Sequence, residues 1–141
     1  MAPPGIEDRS AINDLFVRYA CALDAGDAAT VIDCFTEDAT LVSPAVGEMS
    51  GRAAITAFAH RFSRFREGGS QLRHVLSNLM MQVDGDRAHA TCYLTAFLTK
   101  NGKSNLLAPG RYECELRKVD GQWRFQRRVV LHDHDYTLEG L

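Results

Sequence analysis

The sequence lacks the features that mark membrane proteins, secreted proteins and nucleic-acid-binding proteins. No apolar run among the 141 residues approaches the ~18 residues that a membrane-spanning helix requires. The formal net charge is −2, with acidic and basic residues interspersed, so neither a nucleic-acid surface nor a polybasic membrane-binding block is predicted. The N-terminal stretch MAPPGIEDRS lacks the charged and apolar regions of a signal peptide. We therefore expect a cytoplasmic protein with no nucleic-acid or membrane partner.

Paired cysteines and the short motifs of common enzyme classes are also missing. The four cysteines form no CxxC pair, and each lies in an apolar segment: Cys21, Cys34, Cys92 and Cys114. Their spacing supports neither a disulfide nor a zinc site, so four buried free thiols are expected. The absence of a P-loop, a GxGxxG and a GxSxG motif argues against nucleotide chemistry and covalent acyl transfer. Neither a metal ion nor a cofactor is predicted.

Helical patterns fill the first half of what we expect to be a single domain, residues 1–141. After a lead-in at residues 1–5 that is expected to be disordered, apolar residues recur with helical spacing over residues 12–23. A short second helix and a third helix follow. The expected boundary residues are Asp8 or Ser10 as the first cap, Gly26 as the end of that helix, Asp27 as the second cap, and Gly51 before the third helix.

The second half changes to the alternating pattern of β-strands. Four long segments are separated by the turn sequences DGD, NGKSN and DGQ; they are residues 71–83, 87–100, 110–119 and 123–136. Before the third helix, TEDA is expected to form a turn into a brief strand, TLVSP. Three helices followed by an antiparallel meander predict an α+β fold. Both strand faces carry apolar residues, so we expect helices on one face and a second subunit on the other, which predicts a homodimer.

The end of the first helix carries an unexpected carboxylate. Asp24 lies just before Gly26, where unpaired carbonyl groups already carry partial negative charge. Burial at the edge of the apolar stripe would disfavour the charged form further, so a cationic or hydrogen-bonding partner is needed. An imidazole fits that need, although a solvated helix end is the simpler interpretation. Tyr19 lies in the same stripe and is by default a core aromatic residue.

One histidine lies among apolar residues in the first long strand segment. His74 shares a face with Leu72, Leu76, Asn78 and Met80, and such a mixed face is typical of a ligand pocket lined by a sheet. The simpler alternative is a core or interface histidine with a quiet hydrogen bond.

The C-terminal HDHD sequence, His132 to Asp135, suggests metal ligands. A metal site needs a further ligand from elsewhere, and no second histidine pair accompanies it. A polar strand end at the protein surface is therefore favoured.

Together these segments resemble the SnoaL-like branch of the nuclear transport factor 2-like superfamily. The resemblance covers nearly the whole chain and rests on GEMSGRAAITAF, LRHVLSN, DGDRAHATCYLTAF and YECELRKVDGQWRFQRRVV, after the helical segment from Ile6 to Ala39. It implies a cone-shaped α+β barrel in which three N-terminal helices pack on a curved antiparallel sheet. The superfamily includes dehydratases, isomerases, polyketide cyclases, a dehydrochlorinase, dioxygenase β-subunits and proteins that only bind, so the fold does not settle the function.

The subgroup of scytalone dehydratase, the hexachlorocyclohexane dehydrochlorinase and the bile-acid dehydratase is the most similar. Those enzymes use an Asp–His dyad inside the cone, which implies roles for Asp24 and His74, and Tyr19 matches a tyrosine of the bile-acid enzyme. The second acidic or histidine residue on the following strand is missing, since Thr95 to Thr99 offers only hydroxyls and Phe97. The dehydrochlorinase has a lysine in place of Tyr19, and the position of its last-strand arginine falls near Leu131 here. The resemblance therefore implies the dyad but not the leaving-group machinery of those enzymes.

These arguments predict a cofactor-independent lyase, isomerase or cyclase for an apolar, cyclic small molecule. His74 is expected to take a proton, with Asp24 fixing its tautomer. Tyr19 and Asn78 are expected to donate hydrogen bonds to a developing oxyanion or leaving group. The residues expected to shape the cavity are Phe16, Leu76, Met80 and Phe97. The alternatives are a non-catalytic binding or interaction domain and a dioxygenase β-subunit.

Overall fold

A computed structural model describes residues 5–141. Its elements, in chain order, are α1 (Ile6–Ala25), α2 (Ala28–Asp33), β1 (Phe35–Ser43), β2 (Gly47–Ser50), α3 (Arg52–Glu67), β3 (Gln71–Asp84), β4 (Arg87–Lys100), β5 (Lys103–Val119) and β6 (Gln122–His132). The disorder expected for residues 1–5 concerns residues outside this range, except for Gly5, which directly precedes α1. No helix within residues 5–141 combines the length and apolarity that crossing a membrane requires.

Helix α1 begins earlier than its apolar stripe predicts. It starts at Ile6 with no side-chain cap, so neither Asp8 nor Ser10 has the expected capping role. Asp8 instead accepts a hydrogen bond of 3.0 Å from Trp123 Nε1 and forms a salt bridge of 3.1 Å with Lys118, which fixes the first turn of α1 to the sheet. The other end is as predicted, because the left-handed Gly26 stops the helix at a φ of 71°.

The two shorter helices begin where the sequence places them. Asp27 caps α2 by accepting a hydrogen bond of 3.2 Å from the backbone N–H of Thr30. Helix α3 follows Gly51 and buries an apolar face, which consists of Ile55, Phe58, Ala59, Phe62 and Phe65. Together the helices cover one face of the sheet.

The six-stranded sheet is open and mixed, with the order β2-β1-β6-β5-β4-β3. Strands β3 to β6 form the predicted antiparallel meander, but β1 pairs with β6 in parallel, so the expectation of a wholly antiparallel sheet is wrong. The TEDA segment lies inside β1 rather than in a turn, and β2 is an additional strand. Strand β6 ends at His132, so residues 133–136 lie beyond it.

Two bulges change which residues face the helices. In β3, Asn78 has a φ of 57° and the pairing with β4 shifts between Ser77 and Met80. In β6, Phe125 and Arg128 are both buried, and the pairing with β5 shifts at the corresponding point. The alternation of inward and outward side chains is therefore interrupted in both strands. We call the face of the sheet toward the helices the inner face.

The cysteines are all free thiols. Cys34, Cys92 and Cys114 are buried as expected. The prediction is wrong for Cys21, which lies on the solvent side of α1 and is exposed.

Candidate active site

The carboxylate at the end of α1 meets the first part of β3. Asp24 is 9% exposed, and its Oδ2 accepts a hydrogen bond of 2.9 Å from the backbone N–H of His74. Its Oδ1 lies 2.5 Å from Nδ1 of the same histidine. The predicted contact between Asp24 and His74 is confirmed, and it explains the acidic helix end, because the two donors offset the unfavourable position of the charge.

The contact fixes the orientation of the imidazole ring. An ionised Asp24 accepts only, so the ring proton lies on Nδ1 and the lone pair lies on Nε2. The side chain of His74 is 10% exposed. An oriented imidazole with a basic Nε2 is the arrangement that general-base catalysis requires.

A glutamine that the sequence reasoning missed joins the same two elements. Gln71 Nε2 donates to the backbone carbonyl of Asp24 at 2.9 Å and to that of Leu72 at 2.7 Å. The amide thereby satisfies a carbonyl group in the last turn of α1, where carbonyl groups lack helical partners. Its position directly before the Leu-Arg-His segment is the only sequence signal that could have indicated this role.

A cavity of ≈ 260 Å³ lies between α1, β3 and β4. Three predicted pocket residues, Phe16, Leu76 and Asn78, line it together with Asn13 and Cys92. His74 is not among the lining residues; it lies two positions before Leu76 on the inner face of β3.

Two predicted pocket residues lie on the opposite face of the sheet. Met80 is 71% exposed because the bulge at Asn78 reverses the alternation of β3 after that point. Phe97 is 37% exposed and pairs with Leu106, while its neighbour Ala96 faces inward at 2% exposure. The expectation that Met80 and Phe97 shape the cavity is therefore wrong.

The interior of the fold contains an arginine, Arg128, that forms no salt bridge within residues 5–141. Arg128 is fully buried, and its guanidinium carbon lies 3.7 Å from the Tyr112 ring centroid, 4.2 Å from that of Tyr19 and 4.4 Å from that of Phe125. Its Nη1 donates to Cys114 Sγ at 3.5 Å, but Nε and Nη2 have no hydrogen-bond partner within residues 5–141.

The groups around Arg128 are neutral at neutral pH. Burial raises the pKa of Tyr19 above its ordinary value, and the positive charge of Arg128 opposes this effect only in part. Burial likewise raises the pKa of Tyr112 to about 12 and that of Cys114 to about 11. Tyr19 therefore keeps its hydroxyl proton and can act only as a neutral donor or acceptor.

A second histidine is half-buried at the end of β6. His132, the last residue of β6, has both ring nitrogens buried and without a hydrogen-bond partner in the described part of the chain. Its ring packs against Tyr136 at 4.7 Å between centroids. The interpretation of HDHD as a surface strand end is wrong for His132 but fits His134, which is exposed and lies 3.0 Å from the Asp135 carbonyl oxygen.

Comparisons with known proteins agree on the fold. A family model described as SnoaL-like domain matches residues 4–129. Among solved structures, Rv3472 of Mycobacterium tuberculosis, described as a protein of unknown function and solved as an Asp-to-Asn variant, is 27% identical with a TM-score of 0.84, covering 93% of this chain and 79% of that chain. Among curated proteins no match is found.

Two structures from Novosphingobium aromaticivorans are also similar. One is provisionally described as an aromatic ring hydroxylase and is 30% identical with a TM-score of 0.79, covering 94% of each chain. The other is provisionally described as a scytalone dehydratase and is 24% identical with a TM-score of 0.82, covering 95% of this chain and 91% of that chain. At 24% identity, the similarity to the second structure establishes the fold alone. The architecture is therefore the cone-shaped α+β fold that the sequence predicts.

Proposed function

Because the chain belongs to the SnoaL-like domain family, we propose that it is a cofactor-independent lyase, isomerase or cyclase that removes a proton from an apolar, cyclic small molecule. The observation that carries the proposal is the buried contact between Asp24 and His74. A carboxylate that is almost enclosed and bonded twice to one histidine holds that ring in a single orientation, which is what a general base needs.

The chemistry begins at Nε2 of His74. This atom takes a proton from a carbon next to a carbonyl or a leaving group, and Asp24 stabilises the imidazolium that results. Asn78 supplies a hydrogen bond to the developing negative charge, since its amide borders the cavity. Tyr19 keeps its proton, but it is buried against Arg128 and does not border that cavity, so its predicted donor role has no support from the cavity lining. Phe16 and Leu76 provide the apolar wall.

A non-catalytic binding domain is the second candidate. One observation favours it: His74 is not among the residues that line the cavity next to Leu76. In that case Asp24 and His74 would serve only to join α1 to β3. The solved relative described as an aromatic ring hydroxylase keeps a dioxygenase β-subunit as a further possibility.

The proposal extends to the assembly and the compartment. A homodimer through the face of the sheet opposite the helices is supported by the exposed side chains of Val75, Tyr93 and Leu106 on that face.

A cytoplasmic location is supported by the four free thiols, which form no disulfide within residues 5–141.

The test is proton exchange, because it does not require the natural substrate. We expect wild-type protein to catalyse deuterium incorporation next to the carbonyl of 2-tetralone, an apolar bicyclic ketone, in D2O, as followed by proton NMR. His74→Ala should slow the exchange about 10²–10⁴-fold, whereas His89→Ala, at an exposed position on β4, should leave it unchanged. Equal rates in wild type and His74→Ala would contradict the proposal, and 2-tetralone binding without exchange would favour the binding domain.

A further inference from the structure

The proposed mechanism leaves unexplained a half-buried histidine, His132, whose two ring nitrogens are both buried. Both ring nitrogens of His132 are inaccessible to solvent, and neither finds a hydrogen-bond partner within residues 5–141. Buried polar groups in folded proteins are nearly always paired, so an unpaired imidazole calls for an explanation, and a ligand that supplies the missing partner is one. The contact with Tyr136 is an edge-on ring contact and satisfies neither nitrogen.

The strand register places His132 and His74 on the same concave surface. His132 pairs with Gly110, Gly110 pairs with Leu94, and Leu94 pairs with Leu76. His74 lies two residues from Leu76 on the same face. The rows of β6 and β3 that carry the two histidines therefore face the same side of the sheet.

The electrostatic environment keeps His132 neutral. Burial lowers its pKa below the ordinary value, and His134 and His74, when protonated, lower it further. Asp133 and Asp135 oppose this effect, but both are exposed. A neutral imidazole offers one N–H donor, and such a donor can polarise a carbonyl group without giving up its proton.

Building on the proposed function, we propose that His132 is a second catalytic imidazole, whose N–H donates a hydrogen bond to the carbonyl oxygen of the substrate while His74 removes the neighbouring proton. The C–H bond breaks, its proton moves to Nε2 of His74, and its electron pair forms the C=C bond of an enolate. The carbonyl π pair moves to oxygen, which is held by His132. The proton on His74 then returns to carbon or to a departing group, so the substrate class is a small cyclic carbonyl compound.

The test uses 2-naphthol, which has the shape of the enol of 2-tetralone and reports binding by its fluorescence. We expect His132→Phe, which keeps a ring against Tyr136, to weaken 2-naphthol binding about tenfold and to slow 2-tetralone exchange about 10²-fold in kcat with little change in KM. His132→Gln, which retains a donor, should recover most of both losses. His134→Phe is the matched control at an exposed histidine and should change neither.

Nitrogen-15 NMR gives a readout that a structural role would not produce. On addition of 2-naphthol, the NMR signal of a ring nitrogen of His132 should shift in wild type and also in His74→Ala, where proton exchange is slowed. Unchanged affinity and kcat in folded His132→Phe, or no 2-naphthol binding by wild type up to its solubility limit, would overturn the inference. If His74→Ala exchanges as fast as wild type but the His132 shift persists, the proposed function fails and the carbonyl-binding role of His132 stands.

Discussion

At the scale of single residues, the interior holds charge and polarity where an ordinary core would hold hydrocarbon. Asp24 is stabilised by two donors from one histidine, whereas Arg128 has aromatic rings and a thiol around it and no acidic partner in the described chain. Burying an unpaired cation is expensive, so its presence indicates a use other than stability. The two residues therefore make different predictions.

Replacing Asp24 by Asn should reverse the tautomer of His74. The carbonyl of the new amide can still accept from the backbone N–H of His74, but its NH2 group then faces Nδ1 and must donate to it. The ring proton is expected to move to Nε2, which removes the basic lone pair. Nitrogen-15 NMR of Asp24→Asn checks this, with Asp27→Asn as the control near the same helix end. An unchanged His74 spectrum would refute the orienting role.

Replacing Arg128 should separate stability from activity. Arg128→Met fills a similar volume without a charge, so we expect the free energy of unfolding to be unchanged or to rise by up to about 4 kcal/mol, with slower proton exchange. Arg128→Lys should lower it by about 2–4 kcal/mol, because an ammonium group cannot stack between the rings. Urea unfolding, followed by Trp123 fluorescence, measures the free energy of unfolding of both variants. Equal destabilisation by Met and Lys would mean that the stacked guanidinium holds the core together.

The contact of Asp24 with His74 could be predicted because it depends on regular features. The helical period places Asp24 at the edge of a buried stripe, and the resemblance supplies the histidine. The positions of Met80 and His132 could not be predicted correctly, because Met80 follows a bulge in β3 and His132 follows one in β6. A bulge shifts alternation by one residue and leaves no clear mark in a sequence that is apolar on both faces.

At the scale of secondary-structure elements, the joints between distant segments are polar. Gln71 joins the end of α1 to β3. Asp8 joins the start of α1 to β6 through Trp123 and to β5 through Lys118. The hairpins of the meander were predictable from local turn residues, such as Asn101 and Asp120 with positive φ. The parallel pairing of β1 with β6 was not predictable, because the two strands lie far apart in the chain and no local sequence pattern specifies their pairing.

The joint at Asp8 should make the stability of the fold sensitive to acid. Hydrogen bonding to Trp123, and then to Lys118, lowers the pKa of Asp8 below its ordinary value of 3.8. The folded state therefore binds this proton less readily than the unfolded state, so the stabilisation is complete above about pH 4 and is lost as the pH falls through the lower folded value.

Urea unfolding of wild type and Asp8→Asn at pH 6 and pH 3 tests this. We expect the variant to be less stable by at most about 1 kcal/mol at pH 6, because the salt bridge is partly exposed, and the gap should shrink at pH 3. Asp14→Asn, at an exposed position of α1, is the control. A gap that is independent of pH would contradict the assignment.

The bulge in β3 should distinguish the backbone role of Asn78 from its chemical role. Its φ of 57° is easily adopted by glycine and strained for a β-branched residue. We expect Asn78→Gly to retain the stability of wild type but to slow proton exchange, because the amide beside the cavity is lost. Asn78→Val should lose about 1–3 kcal/mol, whereas Asn105→Val, at an exposed strand position without positive φ, should not. If Asn78→Val slows proton exchange but Asn78→Gly does not, the side-chain amide of Asn78 has no role in the reaction.

At the scale of the whole molecule, one face of the sheet is left uncovered by residues 5–141. Val75, Tyr93, Phe97 and Leu106 are all exposed on neighbouring strands, with Phe97 paired directly to Leu106. The sequence indicated this surface because both strand faces are apolar, although it assigned Phe97 to the cavity. Monomeric proteins rarely leave a continuous apolar patch in water, which supports a second copy as the cover.

A charge in this face should therefore separate the subunits. In a twofold interface each substitution appears twice, so Tyr93→Lys places two ammonium groups into the proposed contact, each costing several kcal/mol to bury. We expect sedimentation equilibrium to give a dimer for wild type and a folded monomer for Tyr93→Lys. Ile6→Lys, which removes a still more exposed apolar side chain at the start of α1, should remain dimeric. A monomeric wild type, or a dimeric Tyr93→Lys, would refute assembly through the sheet, and retention of proton exchange by the monomer would place the complete site within one chain.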